Sequence, residues 1–342
     1  MNLSADQIKA NIAFIAEKIG FDACRFSVAA TSPHSDRFYE WLAAGTAGDM
    51  KWLERDPHRR VDPREVVPGA KTVISLALNY NPGSHPDTDY RIAKYSWNED
   101  YHDIIDGMLK DLNEALIEMG GSQRYYVDTG PILERDFATA SGLGWNGKST
   151  VQIHPKLGTW FFLCELITTL DIPPDQQHPD RCGKCTSCID ACPTHAITGP
   201  RRMDARKCVS YLTIEHMGSI PEALRPLIGN RIYGCDDCLS ACPWNKFATL
   251  AKESKLHAKK EIVTYQLVDF LQFNENQFRK VFAKSPIKRI KLNRFLRNVC
   301  VAIGNSKDAS AIPQLEQCIK KHNPLVQEHA QWAIEQLSKQ AN

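Results

Sequence analysis

Eight of the twelve cysteines of this chain fall between residues 182 and 242, in two sets whose spacing is typical of iron–sulfur ligands. The first set has the form Cys-x2-Cys-x2-Cys-x3-Cys-Pro, in which bacterial ferredoxins give three thiolates to one [4Fe–4S] cluster and the fourth to another. The second set has the same form, except that its first cysteine is displaced to Cys208. Analogy with ferredoxin therefore predicts two crossed clusters. The first is assigned Cys182, Cys185, Cys188 and Cys242, and the second Cys192, Cys208, Cys235 and Cys238.

A pair of zinc sites is the alternative for these cysteines. Structural zinc sites use well-separated CxxC pairs, which leaves the run of four cysteines ending in Cys192-Pro193 unexplained. Because iron–sulfur clusters carry electrons singly, the spacing indicates a redox enzyme or an electron carrier. The four other cysteines lie in apolar or helical contexts and are predicted to be core residues. They are Cys24, Cys164, Cys300 and Cys318.

A glycine-rich loop at residues 142–149, GLGWNGKS, satisfies both the Walker A and the GxGxxG patterns. Either pattern binds phosphate only where it follows a strand and opens a helix, since the helix N-terminus holds the anion. Here a predicted helix precedes the loop and the strand-like TVQIHP follows it. The inverted order excludes ATPase and dinucleotide-binding functions. The loop can still present backbone N–H groups and Lys148 to another ligand.

The length and composition describe an ordinary globular chain. It has 342 residues, of which 43% are hydrophobic and 24% charged, and this length accommodates about two domains. No apolar run reaches the ~20 residues that a membrane span needs. The first residues, MNLSADQIKANIAF, lack the regions of a signal peptide. Composition excludes a membrane protein, a disordered chain and a small disulfide scaffold, and we expect a cytoplasmic protein with no membrane partner.

The formal charge of +2 is unevenly distributed along the chain. From Pro243 onward there are 17 basic and 8 acidic residues, which leaves a net negative charge on the first 242 residues. The stretch Arg279–Arg297 holds eight basic residues and no acid. Such a run indicates either a polyanion partner or a solvated helix face, and the run alone does not decide between them.

Helix and strand patterns alternate through the first half of the chain and predict an α/β sandwich. A capping box at Ser4 and Gln7 opens a helix that ends at Gly20, and residues 71–79, KTVISLALN, suit a buried strand. A Pro-rich break at 171–180 precedes the cysteine-rich unit, after which the pattern is wholly helical. We expect an α/β domain at 1–170, a two-cluster domain at 171–250 and a HEAT-like helical region at 251–342.

Four segments together resemble the epoxyqueuosine reductases, which catalyse the last step of queuosine synthesis on tRNA. They are VDTGPILERDFATASGLGWNGKST (127–150), RIAKYSWNEDYHDII (91–105), the double cysteine set, and RNVCVAIGN (297–305). The resemblance implies an N-terminal cobalamin-binding α/β domain, a ferredoxin-like domain with two [4Fe–4S] clusters, and a C-terminal all-α region that binds tRNA. It also implies base-off cobalamin without a protein histidine ligand. The DxHxxG signature for such a histidine is accordingly incomplete, because Ile105 stands where glycine is required.

By the same resemblance, Asp128 matches the proton donor of the family. Removing the epoxide oxygen as water requires a proton on that oxygen and leaves an alkene, and a buried carboxylic acid can supply the proton. Without the resemblance, Asp128 reads as a helix cap ahead of Pro131. The cobalamin contacts that the resemblance implies are Arg60, Ser96, Tyr101, His102, Asp128, Gly144, Trp145, Lys148 and Gln152. Structural alternatives are a surface salt bridge for Arg60, a helix start for Tyr101 and His102, and a core position for Trp145.

The resemblance assigns the basic run to tRNA. The expected backbone contacts are Lys288, Arg289, Lys291, Arg294 and Arg297. The function expected is reduction of epoxyqueuosine at the wobble position of tRNA, with electrons passing through the two clusters to cobalamin. The expected partners are an anticodon stem-loop that bears epoxyqueuosine and an electron donor such as a ferredoxin or flavodoxin system.

Two other functions remain in view. A cobalamin and iron–sulfur reductase of a small molecule, such as an organohalide, needs no polyanion-binding surface, so the basic C-terminal third argues against it. A plain electron carrier does not need the ~180 residues of α/β chain that precede the clusters. Neither alternative accounts for both halves of the sequence.

Overall fold

The computed structural model describes residues 4–257 and 263–340. Its first helix begins at the predicted capping box, where Ser4 and Gln7 satisfy each other's backbone N–H groups, and ends at Gly20 in the left-handed conformation. The elements of the first half are α1 (Ala5–Ile19), β1 (Ala23–Val28), α2 (Ser35–Ala43), α3 (Pro57–Val61), β2 (Thr72–Asn79), β3 (Arg91–Ile92), α4 (Tyr101–Glu118), β4 (Gln123–Tyr126), α5 (Glu134–Ala140), β5 (Trp145–Asn146), β6 (Gln152–Ile153) and β7 (Phe161–Thr168).

A four-stranded antiparallel sheet forms the centre of this half, with the strand order β1-β2-β7-β4. Every residue of β2 is buried, as the apolar sequence of that strand predicts. The buried faces of α1 and α4 share one core with the sheet, and α5 packs on β1, β2 and β7. Ala138 of α5 belongs to a separate small core with Ala77 of β2. Helices on the sheet therefore give the layered α/β arrangement.

The cysteine-rich segment is built from short elements, two of which are one-turn helices that pack against each other. Cys188 lies in one of these helices and Cys238 in the other. The last strand of the segment pairs in parallel with β3, so that Tyr233 is opposite Ile92 and the segment is joined to the first half. Its elements are α6 (Ser187–Asp190), β8 (Ile197–Gly199), β9 (Arg202–Met203), α7 (Val209–Ile214), α8 (Arg225–Ile228), β10 (Arg231–Tyr233) and α9 (Asp237–Ser240).

The remaining elements are helices, in agreement with the sequence pattern. They are α10 (Leu267–Phe270), α11 (Glu275–Val281), α12 (Lys291–Gly304), α13 (Ile312–Lys321) and α14 (Pro324–Gln340). A single apolar core joins Phe295 and Val299 of α12 to Val209 and Ile232 of the cysteine-rich segment. The packing therefore continues across the expected boundary at residue 250. Among the described helices, none is long and apolar enough to cross a membrane.

Candidate redox and catalytic site

The eight cysteines of the two sets lie in two separate groups of free thiols. In group 1, burial raises the pKa of Cys242, and the three thiols of the first loop raise it further because they lie beside it. In group 2, burial raises the pKa of Cys238 well above its ordinary value, and Cys208 and Cys235 raise it further. Within the described ranges, no three or more His, Cys, Asp or Glu side chains are arranged to hold a single metal ion. Group 1 is Cys182, Cys185, Cys188 and Cys242, and group 2 is Cys192, Cys208, Cys235 and Cys238.

The two groups differ in their position. Cys185 of group 1 is the one cysteine of the eight that is exposed. All four thiols of group 2, and none of group 1, line a cavity of about 470 Å³ between the cysteine-rich segment and the α/β sheet. This volume lies in the ordinary range for ligand pockets, about 300–1,000 Å³. Group 1 is therefore the outer group, and group 2 forms one wall of the cavity.

Asp128 faces the same cavity, with its side chain half exposed. β4 ends at Tyr126, and Asp128 in the loop that follows adopts a left-handed conformation with φ +57°. Aspartate tolerates this region better than most residues. The hydroxyl of Tyr101 donates a hydrogen bond to the Asp128 carboxylate, and Nε2 of His102 lies 3.8 Å from it. The loop thus presents the Asp128 carboxylate to the cavity, and Tyr101 and His102 at the N-terminus of α4 hold this carboxylate in place.

His102 is also bound to the cap of its own helix. Its Nδ1 lies 2.7 Å from Oδ1 of Asp100, the N-cap of α4. Burial lowers the pKa of His102, but the hydrogen bond and charge of Asp100 outweigh burial and the pKa is raised overall. Arg289 lies near enough to lower this pKa slightly. His102 is not among the residues that line the cavity, its described partners are the two aspartates, and its expected cofactor contact stays a prediction.

Two glutamates that sequence reasoning missed lie next to Asp128. The backbone N–H of Asp128 donates to Oε1 of Glu134 at 3.0 Å, and Glu134 also lines the cavity. Glu165 is fully buried in β7. Burial, and then the charge of Asp128, raise the pKa of Glu134 to about 8. Burial raises the pKa of Glu165 well above its ordinary value, and Glu134 raises it further. The available signal was a single acid within the apolar strand FFLCELIT.

Arg60 supports the loop that contains Asp128 and lies outside the cavity lining. Its guanidinium donates to the carbonyl of Gly130 at 3.1 Å and lies 5.1 Å from the centre of the Trp52 ring. Burial lowers its pKa, and Glu134 raises it. Arg60 therefore fixes the backbone two residues after Asp128, and its cofactor contact stays a prediction.

Three other expected cofactor contacts are used inside the protein. Ser96 is buried and its hydroxyl donates to the carbonyl of Ala93, which closes a turn. Trp145 is buried and stacks on His178, with Trp244 against its edge. A Cβ on Gly144 would lie 2.0 Å from the carbonyl oxygen of Ile153, so the β5–β6 pairing requires glycine there. These three residues have structural contacts, and none of them is among the residues that line the cavity.

Lys148 also departs from the expectation. Its Nζ donates to the backbone carbonyls of Gly183 at 2.7 Å and Cys185 at 2.9 Å, so it holds the group 1 loop. Gln152, in contrast, lines the cavity and is buried. Its Oε1 accepts from Thr139, while its Nε2 has no partner among the described residues. An unpaired buried donor costs free energy unless a ligand accepts from it. Gln152 is therefore a ready donor to a cavity ligand.

The basic run divides into exposed and buried members. Lys288 and Lys291 are exposed, and Arg289 pairs with Glu215 at the cavity. Arg294 is half-buried and donates to the carbonyl of Ile214. The prediction that Arg297 contacts tRNA is wrong for this structure, because the residue is fully buried. Its guanidinium donates to the backbone carbonyls of Leu212, His216 and Gly218.

Comparisons with known proteins agree with this geometry. Residues 181–245 match the family described as 4Fe-4S double cluster binding domain, and residues 60–129 match the family described as Epoxyqueuosine reductase QueG, DUF1730. The epoxyqueuosine reductase of Salmonella typhimurium is 39% identical over 99% of this chain and 91% of its own length. That of Escherichia coli K12 is 37% identical over 99% of this chain and 92% of its own length.

Solved structures give the same result. A crystal structure of epoxyqueuosine reductase with a tRNA-Tyr epoxyqueuosine-modified stem loop superposes with a TM-score of 0.92 and 31% identity, over 98% of this chain and 91% of that one. A structure of the Bacillus subtilis enzyme, in which a catalytic aspartate loop is swung out of the active site, has a TM-score of 0.90 and 30% identity over 98% and 91% of the two chains. The likeness therefore extends through the α/β half, the cysteine-rich segment and the C-terminal helices.

Proposed function

Because this chain belongs to the epoxyqueuosine reductase family, we propose that it reduces epoxyqueuosine in tRNA to queuosine. The observation that carries the proposal is the cavity itself, which has the group 2 thiols on one wall and Asp128 on another. In the net reaction the epoxide accepts two electrons and two protons, loses its oxygen as water and becomes an alkene. A redox centre and a proton donor must therefore reach the same substrate atoms, and the cavity provides for both.

The donor set fits two iron–sulfur clusters. Group 1 and group 2 each provide four thiols, the number that a [4Fe–4S] cluster requires. Group 1 would hold the outer cluster and group 2 the cluster beside the cavity. When bound, the clusters carry electrons one at a time and cobalamin supplies the strongly reducing cobalt that meets the epoxide. Since Cys185 of group 1 is exposed, the surface beside group 1 would receive electrons from a small carrier protein of the ferredoxin or flavodoxin class.

We also assign cobalamin to this cavity. Phe161 and Phe162 give it an apolar wall, and the unpaired Nε2 of Gln152 can donate to an amide carbonyl on the rim of the corrin. Tyr101 and Asp128 line the same space. We assign these residues to the face that the cofactor and the substrate share.

Asp128 is the proposed acid. Tyr101 holds its carboxylate and Glu134 holds its backbone N–H, so that the side chain points into the cavity where the epoxide oxygen must lie. Arg60 fixes the next turn of the loop through Gly130. With the carboxyl oriented in this way, a proton can pass to the leaving oxygen without rearrangement of the backbone.

The exposed members of the basic run would contact the tRNA. Lys288 and Lys291 are free of the buried network that holds Arg297, and Arg289 lies where the basic run meets the cavity. Phosphate contacts from these side chains would position the stem-loop, while groups inside the cavity recognise the modified base. The proposed tRNA-binding surface, with Lys288 and Lys291, is thus continuous with the cavity through Arg289.

The test is turnover of an epoxyqueuosine stem-loop by Asp128→Asn, with queuosine measured by mass spectrometry. We expect a loss of at least about a hundredfold, the scale of a general acid, with unchanged cluster absorption and stem-loop binding. Asp171→Asn, which changes an exposed aspartate, is the matched control. Wild-type turnover by Asp128→Asn would refute the role of this residue, and a wild-type protein with both clusters and cobalamin that forms no queuosine would refute the function.

A further inference from the structure

The carboxyl group of Glu134, which is half-buried at the cavity, lies beside the carboxyl group of Glu165. Glu165 lies directly opposite Ser75 of β2 and Tyr126 of β4, and it is fully buried. In the described part of the chain, neither of its carboxylate oxygens accepts a hydrogen bond from a protein donor group, and the hydroxyl of Ser75 has no partner either. The contact that remains for Glu165 is the carboxyl of Glu134. Two buried carboxylates repel each other, so this contact requires a proton between them.

The charges around the pair do not remove that requirement. Asp128 acts on both glutamates and disfavours a further negative charge. Arg135 and Arg60 act on Glu134, but Arg135 is exposed and Arg60 is bound to the carbonyls of Gly130 and Trp52. Neither guanidinium is hydrogen-bonded to the pair. Burial and Asp128 therefore dominate, and they raise the pKa of Glu134 to about 8.

The proposed reaction consumes more protons than Asp128 holds. Conversion of the epoxide to an alkene and water takes up two protons, together with two electrons from the external one-electron carrier. One carboxyl group can give one proton before it must be protonated again. A second proton must therefore come from solvent or from another acid at the cavity.

We propose that the Glu134–Glu165 pair stores a proton at neutral pH and returns it to Asp128, so that the site delivers the second proton of each turnover. This inference rests on the proposed reductase function. Glu134 is placed for the transfer because it lines the cavity and is bound to the backbone of Asp128. Glu165 has no opening to solvent of its own and keeps the shared proton on the pair. Because the pair acts through Asp128, these are positioning residues.

The first test is infrared spectroscopy of the purified holoprotein at pH 7 and pH 10, in wild type and in Glu165→Gln. We expect the carbonyl stretch of a protonated carboxyl in the wild type at pH 7, weaker at pH 10, and at a different frequency in the variant because the proton then has a different partner. Glu134→Gln, which keeps an acceptor for the Asp128 N–H, is the second variant and should also shift the band. If the bands of wild type and both variants are identical at pH 7, the pair holds no proton and the proposal is wrong.

The second test is the pH dependence of kcat on the stem-loop. Both glutamine variants should bind the stem-loop normally but turn over about tenfold to a hundredfold more slowly, as expected when proton supply is impaired. In the wild type, kcat should fall as the pH rises through about 8, and this fall should disappear in Glu134→Gln. Glu17→Gln, an exposed change on α1, should behave as wild type. Wild-type rates and pH profiles in both variants would overturn the proposal.

The two tests separate this inference from the proposed function. If the wild type forms no queuosine but shows the protonated carboxyl band, the function fails while the proton on the pair is established. If the wild type forms queuosine and the variants match it, the function stands and the second proton comes from elsewhere.

Discussion

The hydroxyl of Tyr101, in the first turn of α4, donates its hydrogen bond to the carboxylate of Asp128 in the loop after β4. Burial, and then the charge of Asp128, raise the pKa of Tyr101 well above its ordinary value. The phenol therefore remains a donor at every physiological pH. Tyr101 also stacks on Phe162 of β7 with ring centres 4.1 Å apart, so its position is set by the sheet. The orientation of the proposed acid thus depends on the fit between a helix terminus and the central sheet.

Tyr101→Phe should slow turnover while the protein remains folded. The change keeps the stack on Phe162 but removes the donor to Asp128, and a hydrogen bond to a charged group contributes about 1.5–3 kcal/mol. We expect kcat on the stem-loop to fall about tenfold or more. Tyr39→Phe, on the partly exposed face of α2, is the control and should have no effect. A rate equal to wild type in Tyr101→Phe would show that Asp128 is oriented by other groups.

Arg297→Ala should destabilise the fold. The substitution leaves the carbonyls of Leu212, His216 and Gly218 without their donor inside a buried region, at a cost of roughly 3 kcal/mol or more in the free energy of unfolding. Urea denaturation of the holoprotein measures the loss. Arg279→Ala, on an exposed part of α11, should stay within about 0.5 kcal/mol of wild type. An Arg297→Ala protein of normal stability that binds tRNA weakly would restore the tRNA contact that the structure contradicts.

Lys288→Ala combined with Lys291→Ala should weaken stem-loop binding without affecting stability. Each exposed lysine that neutralises a phosphate contributes about 1 to the slope of log Kd against log salt concentration, so the slope should decrease by roughly 2 in the double variant. Binding titrations from low to high salt measure it. Lys110→Ala, on an exposed position of α4, is the control. An unchanged slope would remove these two lysines from the tRNA surface.

Lys148→Ala should selectively loosen group 1. The change removes both hydrogen bonds to the loop that contains Cys182 and Cys185, each worth about 1 kcal/mol or more. We expect faster loss of iron on exposure to air, with the signal of one cluster lost before the other in electron paramagnetic resonance of the reduced protein. Lys184→Ala, an exposed change in the same loop, tests whether charge alone matters. Equal iron loss in the two variants would contradict the prediction.

Glu134→Gln should stabilise the protein more as the pH rises. The pKa of Glu134 is about 8 in the folded protein and about 4.3 in an unfolded chain, so between these values the folded state binds the extra proton. The stability that comes from this proton is complete below about pH 4.3 and is lost as the pH rises towards 8. The stability of the glutamine variant relative to wild type should therefore increase from pH 5 to pH 8 and then level off. Denaturation midpoints of the variant and the wild type, measured from pH 5 to pH 8, test this expectation. A stability difference that stays constant with pH would contradict the assigned pKa of Glu134.

Local patterns in the sequence predicted much of the redox site. The cysteine spacing predicted which thiols of each CxxC turn lie together, because such a turn places its thiols by local backbone geometry. The remote members Cys242, Cys192 and Cys208 came from the analogy with ferredoxin. The inverted order around the glycine loop is also seen, since α5 precedes the loop, Trp145 and Asn146 within it form β5, and β6 follows it. Asp128 came from a resemblance; the structure adds its left-handed backbone and its partners.

Side chains whose role depends on tertiary packing could not be predicted in this way. Arg297 belongs to a basic run, yet it lies on the face of α12 that packs against α7. A backbone carbonyl of α7, that of Leu212, accepts a hydrogen bond from its guanidinium. Lys148 looked like a ligand-binding lysine, but a loop distant in sequence provides two carbonyls at its Nζ. Glu165 was hidden because an acid in an apolar strand has no local signature of its partner, Glu134.

Arg289 is contributed by the C-terminal third but lines the cavity together with Asp128 and the group 2 thiols. Arg297 and Asn298 of α12 meanwhile bind the carbonyls of Leu212 and Thr213, a few residues after Cys208. The region proposed to bind tRNA therefore also forms part of the cavity wall. Replacing this region would remove Arg289 from the lining and would leave carbonyls close to Cys208 without their donors.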